Sequence, residues 1–180
     1  MKKYSIIRIA VLSAYICLHS SVFAQSVTGD PVASADASRF HASRSVNADA
    51  TAKLAIRARN TKMFNNFSKS FAEASDIRIS TEPDGTRISC KTGETLNKIL
   101  YDHKGNWVYT VRYYDYNQLP DDIAKQVAEA YPQYEIYGFV SEVNVPGKQV
   151  HMVMIENRSS WKRVRVADGD IEPYEEYKKP

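Results

Sequence analysis

The sequence predicts an α+β fold of two tandem units, each a helix packed on an antiparallel β-meander. Three observations predict it. Phe67-Ser68-Lys69-Ser70-Phe71-Ala72-Glu73-Ala74-Ser75 is echoed 56 residues later by Ile123-Ala124-Lys125-Gln126-Val127-Ala128-Glu129-Ala130-Tyr131. Each stretch runs straight into aromatic-rich segments that alternate with the period of two of a pleated strand. Those segments are punctuated by Gly, Pro, Asp and Asn clusters at hairpin spacing. One helix-plus-sheet unit used twice makes a surface more readily than a cleft.

The chain opens on an export signal over residues 1–24. Lys2, Lys3 and Arg8 form a positive n-region, and residues 9–18 are an apolar run of ten. Val22 and Ala24 then stand at the −3 and −1 positions of a cleavage site before Gln25. Ten residues make a helix of ~15 Å, half of the roughly 30 Å of a bilayer core, so no membrane anchor is expected after cleavage. Cys17 follows Tyr15 and Ile16, where a lipid-attachment signal needs small side chains. The expected location is the periplasm or the medium.

Cleavage also changes the charge. The chain has 24 Lys+Arg against 21 Asp+Glu. With Lys2, Lys3 and Arg8 gone the two signs balance, which removes the electrostatic footprint of a nucleic-acid binder. Cys90 is left alone, so packing has to hold the fold without an intramolecular disulfide. Its alternating strand context reads as a half-buried hydrophobe, with a reactive thiol as the alternative.

Residues 25–60 are rich in Ser, Ala, Asp, Thr, Asn and Arg, and Phe40 is their only aromatic. Ordering a backbone costs ~1–2 kcal/mol per residue, and this segment has little apolar surface to offset that. It is expected to be a flexible spacer that turns helical near Ala50. The alternative is an additional helix packed on the body.

The body spans residues 61–179, with unit one over about 61–116 and unit two over about 117–179. In the first helix Phe64, Phe67 and Phe71 form an apolar stripe. Strands follow at 77–81, 86–91, 96–101 and 107–114, with a Pro83-Asp84-Gly85 turn, a Gly93 turn and a hairpin at Asp102-His103-Lys104-Gly105-Asn106. Unit two opens at Leu119-Pro120-Asp121-Asp122. Pro120 suits a first helical turn, and the aspartates face the positive end of the helix dipole. Ile123, Val127 and Ala130 form its stripe, and Pro132 stops it. Strands are expected at 134–145, 149–156, 161–166 and 171–177. The turn glycines Gly105 and Gly169 stand 64 residues apart, so the second copy has gained residues in its strands and loops.

Catalytic and metal chemistry find no support. His41 lies in the spacer, His103 in a turn and His151 on a strand. No His-Glu-x-x-His, Cys-x-x-Cys or Gly-x-Ser-x-Gly is present, nor a Gly-rich phosphate cradle. Asp102 beside His103 reads as a turn end before it reads as an acid–base pair. Asp84-Gly85 and Asp168-Gly169 are turn chemistry, without the ligand ladder of a calcium loop. No enzyme, cofactor or metal is expected.

Aromatic residues are what the chain has in excess. Eight tyrosines fall between Tyr101 and Tyr137. Strict alternation along 107–114 places Trp107, Tyr109, Val111 and Tyr113 on one face and Val108, Thr110, Arg112 and Tyr114 on the other. Trp161, Arg163 and Arg165 repeat the aromatic–arginine mixture on one face of a later strand. Tyr, Trp and Arg dominate binding energy at protein interfaces, a single anchor contributing ~2 kcal/mol or more. Sheets also recruit Tyr and Trp for cross-strand pairing alone. The candidate partner surface is therefore Trp107, Tyr109, Arg112, Tyr114, Trp161, Arg163 and Arg165, with either face of the sheet open as the buried one.

The order Asn66-Phe67, Phe71, Ala74, then Tyr101-Asp102-His103-Lys104-Gly105-Asn106-Trp107 and Arg112-Tyr113-Tyr114, continues through Leu119-Pro120-Asp121-Asp122-Ile123, Tyr131-Pro132, Trp161-Lys162 and Asp168-Gly169. It resembles exported proteins of the PepSY-like, β-lactamase-inhibitor-like group over residues 61–179. The resemblance implies two tandem helix-on-sheet units in an envelope protein of a Gram-negative bacterium, without catalytic apparatus. The expected function is non-enzymatic binding of an envelope protein or peptide. The alternatives are an inhibitor or modulator of an exported hydrolase, of protease or β-lactamase type, and a structural or small-molecule-binding envelope protein.

Overall fold

A computed structural model describes residues 37–180, with side chains from residue 48 onward. The signal, its cleavage site, Cys17 and residues 25–36 of the expected spacer lie outside the described residues.

From Ala37 the expected spacer is instead the additional packed helix that was its alternative, α1 (Ala37–Arg59). Composition misjudged it because its anchorage is tertiary. Ile56 is fully buried and joins the core, with Ala52 packed beside it. The Asp49 carboxylate accepts the backbone N–H groups of Asp76 (3.2 Å) and Ile77 (2.8 Å) at the start of the first strand. Lys53 Nζ donates to the carbonyl of Ala72 at 3.2 Å. Arg57 and Arg59 lie in the last turn, where cations suit the negative end of the helix dipole. A few specific contacts thus order a segment whose average hydrophobicity cannot.

Helix α2 (Thr61–Ser70) begins at Asn60, whose side-chain oxygen accepts the N–H of Met63 at 3.0 Å. Met63 and Phe67 are its buried residues, while Phe71 caps the end and stacks on Phe67 at 5.5 Å. Helix α3 (Asp121–Ala130) follows Pro120 and buries Val127, with Ile123 and Ala124 packed beside it. Ala130, expected in the stripe, is exposed. The helices start at Thr61 and Asp121, and both close on a residue whose N–H returns to a buried one, Phe71 to Phe67 and Tyr131 to Val127. By their caps the helices therefore correspond at an offset of 60, not the 56 of the sequence echo.

Nine strands form one antiparallel sheet: β1 (Ser75–Glu82), β2 (Gly85–Thr92), β3 (Thr95–Tyr101), β4 (Trp107–Asp115), β5 (Glu135–Ile136), β6 (Phe139–Val145), β7 (Lys148–Glu156), β8 (Ser160–Ala167) and β9 (Asp170–Lys178). Their order is β1-β2-β3-β4-β6-β7-β8-β9, with β5 paired to β7. The single strand expected over 134–145 is broken at Tyr137 and Gly138. Gly138 has φ +70°, and its carbonyl accepts the N–H of Tyr116. Gly105, at φ +78°, is required twice over, since a Cβ there would collide with the Asn60 side chain that caps α2.

The three α-helices among the described residues pack on one face of this sheet, over two clusters. One joins Ile56, Met63 and Phe67 to Ile77, Ile88, Cys90, Ile99 and Tyr101. The other joins Val127 and Leu119 to Tyr114, Val140, Val153, Ile155, Val164 and Val166. Cys90 is buried in the first cluster, and burial, with Asp49 nearby, pushes its thiol up to about 11. It is a packing residue, and the reactive-thiol alternative falls.

Candidate functional site

The seven candidate surface residues divide between the two faces. Tyr109, Trp161, Arg163 and Arg165 lie on the face without helices. Trp107, Arg112 and Tyr114 lie on the helix side. Strict alternation would have kept Trp107 with Tyr109, but the ladder slips there: Tyr101 pairs with Trp107 and Leu100 with Tyr109. Val108 is a bulge, and one extra residue turns Trp107 over. The indole then packs against the first core cluster, and its Nε1 donates to Thr110 Oγ1 at 2.9 Å. Tyr114 is core, 3 % exposed, and burial, with the Glu142 charge, raises its phenol far above the ordinary value.

Cross-strand register assembles the open face, because directly paired residues project to the same side. One row is Lys98, Val111, Val143 and Val150. The next is Leu96, Tyr113, Ser141, Met152 and Arg165. Met154 pairs with Arg163, and Glu156 with Trp161. The middle of the sheet thus carries an apolar strip of Val111, Tyr113, Val143, Val150, Met152 and Met154 that no helix among the described residues covers, each half-buried by its neighbours. The sequence reading grouped Tyr113 and Val111 with Tyr109 but missed Val143, Val150, Met152 and Met154. The signal for the last three was a strand, β7, that is apolar on both faces in a sheet whose described helices lie on one side.

Charged pairs border this strip. Arg163 meets Glu175 at 2.9 Å and Arg165 meets Glu172 at 3.2 Å. Lys179 binds Glu156 at 2.7 Å and lies 5.1 Å from the centre of the Trp161 ring, whose Nε1 donates to Glu156. Lys98 lies 5.2 Å from the Tyr113 ring. Arg163 and Arg165 are thus rim residues already engaged by β9, beside an apolar centre.

On the helix side, polar residues interrupt the core between its two clusters. Asn97, Arg112, Glu142 and His151 pair in one row across β3, β4, β6 and β7. Glu142 is 3 % exposed, and its Oε1 accepts from Asn144 (2.6 Å), Gln149 (2.8 Å) and Arg112 (3.2 Å). Burial alone would raise its pKa, but these hydrogen bonds and the Arg112 charge outweigh it and hold the carboxyl below its ordinary value. His151 is 4 % exposed; its Nε2 lies 3.8 Å from Glu142 and has no hydrogen-bond partner. Burial pushes its pKa below the ordinary value against the pull of Glu142 and Asp122.

The remaining candidates are structural. Asp102 accepts the N–H groups of Lys104 and Asn106 and the Asn106 amide, which lower its pKa and close the β3–β4 hairpin. His103 Nε2 sits 3.0 Å from the Pro83 carbonyl. Asp168 pairs with Lys148 at 3.1 Å across two turns. Among the described residues no three His, Cys, Asp or Glu side chains group as metal ligands, and no helix is long and apolar enough to cross a membrane.

No family model and no curated protein matches the sequence. Solved structures do. A BLIP-like protein from Bacteroides fragilis is 15 % identical with TM-score 0.50, over 66 % of this chain and 85 % of that one. A DUF2874 family protein from Bacteroides uniformis is 12 % identical with TM-score 0.47, over 65 % and 87 %. A protein from Bacteroides eggerthii, provisionally described as periplasmic, is 10 % identical with TM-score 0.47, over 65 % and 86 %. The likeness to the first is one of fold: the chain has the BLIP-like arrangement of helices on one face of an antiparallel sheet. None of these descriptions names PepSY.

Proposed function

We propose that this chain is a non-enzymatic binding protein of the cell envelope, exported through cleavage after Ala24, whose open sheet face holds a protein or peptide partner. The observation that carries this is the strip of Val111, Tyr113, Val143, Val150, Met152 and Met154, which no described helix covers and which ion pairs flank along β8 and β9. An apolar centre with a polar rim is the anatomy of a protein interface, and methionines let it adapt to the shape it meets. We read the two helix-and-strand sets as tandem units whose joined sheets make this face continuous. The balanced mature charge makes association depend on apolar burial and only weakly on salt.

The test is capture from envelope extract with the mature protein, beside Tyr113→Ala and Met152→Lys variants shown to be folded by circular dichroism. Wild type retains a defined partner that both variants lose. Recovery of the same proteins by all three removes the face from consideration. N-terminal mass analysis of the exported protein checks the export reading, which requires Gln25 as the first residue.

A further inference from the structure

We propose that the groove between α2 and α3, on the helix side of the sheet, is a binding site for a neutral saccharide. It is independent of the open face and lies on the opposite surface of the same strands. Strands β4 and β6 are the central pair of the sheet, and their helix-side positions between the two clusters would ordinarily be filled by aliphatics. They hold Thr110, Arg112, Glu142 and Asn144 instead, flanked by Asn97 on β3 and His151 on β7. Four of these six side chains are more than nine-tenths buried: Asn97, Thr110, Glu142 and His151. Polar groups withdrawn from water cost stability unless they are paired. Asn97 donates to Thr92 and the Thr95 carbonyl, Thr110 accepts from Trp107 and Glu142 accepts from three donors, which leaves His151 Nε2 as the buried group that calls for an occupant.

The pairing inside the groove is incomplete in an informative way. Glu142 is satisfied, and it orients the donors that bind it. Arg112 reaches it through Nη1 alone, which leaves Nη2 and Nε uncommitted to that carboxylate. Asn144 and Gln149 spend an amide N–H on it, and their carbonyl oxygens remain as acceptors. His151 Nε2, on the wall of the groove, is buried without a hydrogen-bond partner. The floor therefore offers donors and acceptors side by side.

Two cavities open along it and meet at Asn144. One, about 490 Å³, has Trp107 and Phe71 as apolar walls and Asn97, Thr110 and Arg112 among its polar ones. The other, about 510 Å³, runs on past His151 and Gln126 toward the start of α3. Each falls within the ~300–1,000 Å³ of small-molecule sites. The lining selects the chemistry. A carboxylate or phosphate would want uncompensated positive charge, and Arg112 is already neutralised by Glu142, with Asp122 on the far wall. A hydrocarbon would leave the amides unpaired. Sugar hydroxyls donate and accept at once, and the C–H faces of a sugar ring suit Trp107 and Phe71. The first cavity takes a ring in this way, and the second lets the chain of rings continue.

Trp107 makes the site observable. In a Trp161→Phe protein it is the sole tryptophan, since the chain has two. This protein is titrated, following tryptophan emission, with cellobiose, maltose, lactose and N,N′-diacetylchitobiose. Sialyllactose and trialanine serve as the charged and peptide arms. A saturable change is expected with at least one neutral saccharide and weaker or none with the other two. Ser70→Trp would obscure the signal, so Ser70→Leu, which fills the cavity from an exposed rim position, and Asn144→Ala are the blocking variants. Each is expected to raise Kd at least tenfold while circular dichroism and Tm report a folded protein. No saturable change with any neutral saccharide, tighter binding of trialanine or sialyllactose, or an unchanged Kd in folded Ser70→Leu overturns the proposal.

Discussion

The two faces of the sheet use the same strands for opposite purposes. On the helix side, Ile88, Ile99, Val140, Val153 and Val164 are fully buried, and the polar row of Asn97, Arg112, Glu142 and His151 is set among them. On the open side no residue of the central strip is fully buried, and charge is confined to the border. The helix side holds most of the buried core, while the open side buries Leu100 and Ala167 and leaves its central strip partly in water. That division teaches where substitutions will register: helix-side changes in unfolding, open-side changes in association.

The sharpest break of this contrast is Phe67→Ala against Met152→Ala. Phe67 is fully buried between α2 and the sheet, and its truncation is expected to cost about 3–5 kcal/mol. Met152→Ala on the open face is expected to stay within about 1 kcal/mol. Urea unfolding of both measures the difference, and equal losses would mean that the open face is covered. Ile56→Ala, expected at about 2–4 kcal/mol, tests whether α1 belongs to the core in solution as its burial demands.

Acidification sharpens the comparison further, because the buried ionisable groups all lie on the helix side. His151 is held below its ordinary value of 6.5, so the unfolded chain takes up its proton first and stability falls as pH drops below 6.5. Glu142 is held below its ordinary 4.5, so its contribution is full above that pH and is lost as pH falls through the folded value. Stability is thus greatest above pH 6.5 and declines in two stages toward acid. His151→Gln should flatten the upper stage and Glu142→Gln the lower, measured as Tm against pH. A profile unchanged by either substitution would remove this pair from the account of stability.

The smallest stability effect and the clearest functional one coincide at Tyr113. Tyr113→Ala should leave Tm within a few degrees yet weaken partner binding by ~2 kcal/mol, about thirtyfold, if the strip is the contact. A binding assay that reports less than twofold would place the partner elsewhere.

Much of the fold was legible because local rules dominate it. Pro120-Asp121-Asp122 announced α3, and Asp102 to Asn106 announced a hairpin that Asp102 closes with its own carboxylate. Strand positions followed from alternation. The face assignment did not, because it turned on a bulge at Val108 that only the partner strand can define. Helix α1 was legible only as a helical turn near Ala50 and as an alternative to the spacer, for a related reason: Asp49 and Ile56 act on β1 and the core, far along the chain. The polar row escaped notice because Asn97, Arg112, Glu142 and His151 belong to four strands and become neighbours only through register.

What the sequence determined by itself was therefore the α+β class, the start of α3 and the turns, each set by residues within a few positions of one another. The tertiary structure decided which side of each strand is buried, where the polar row assembles and that residues 37–59 are helical. Those outcomes depend on burial and pairing between distant segments, and a one-residue slip in a ladder reverses every side chain beyond it.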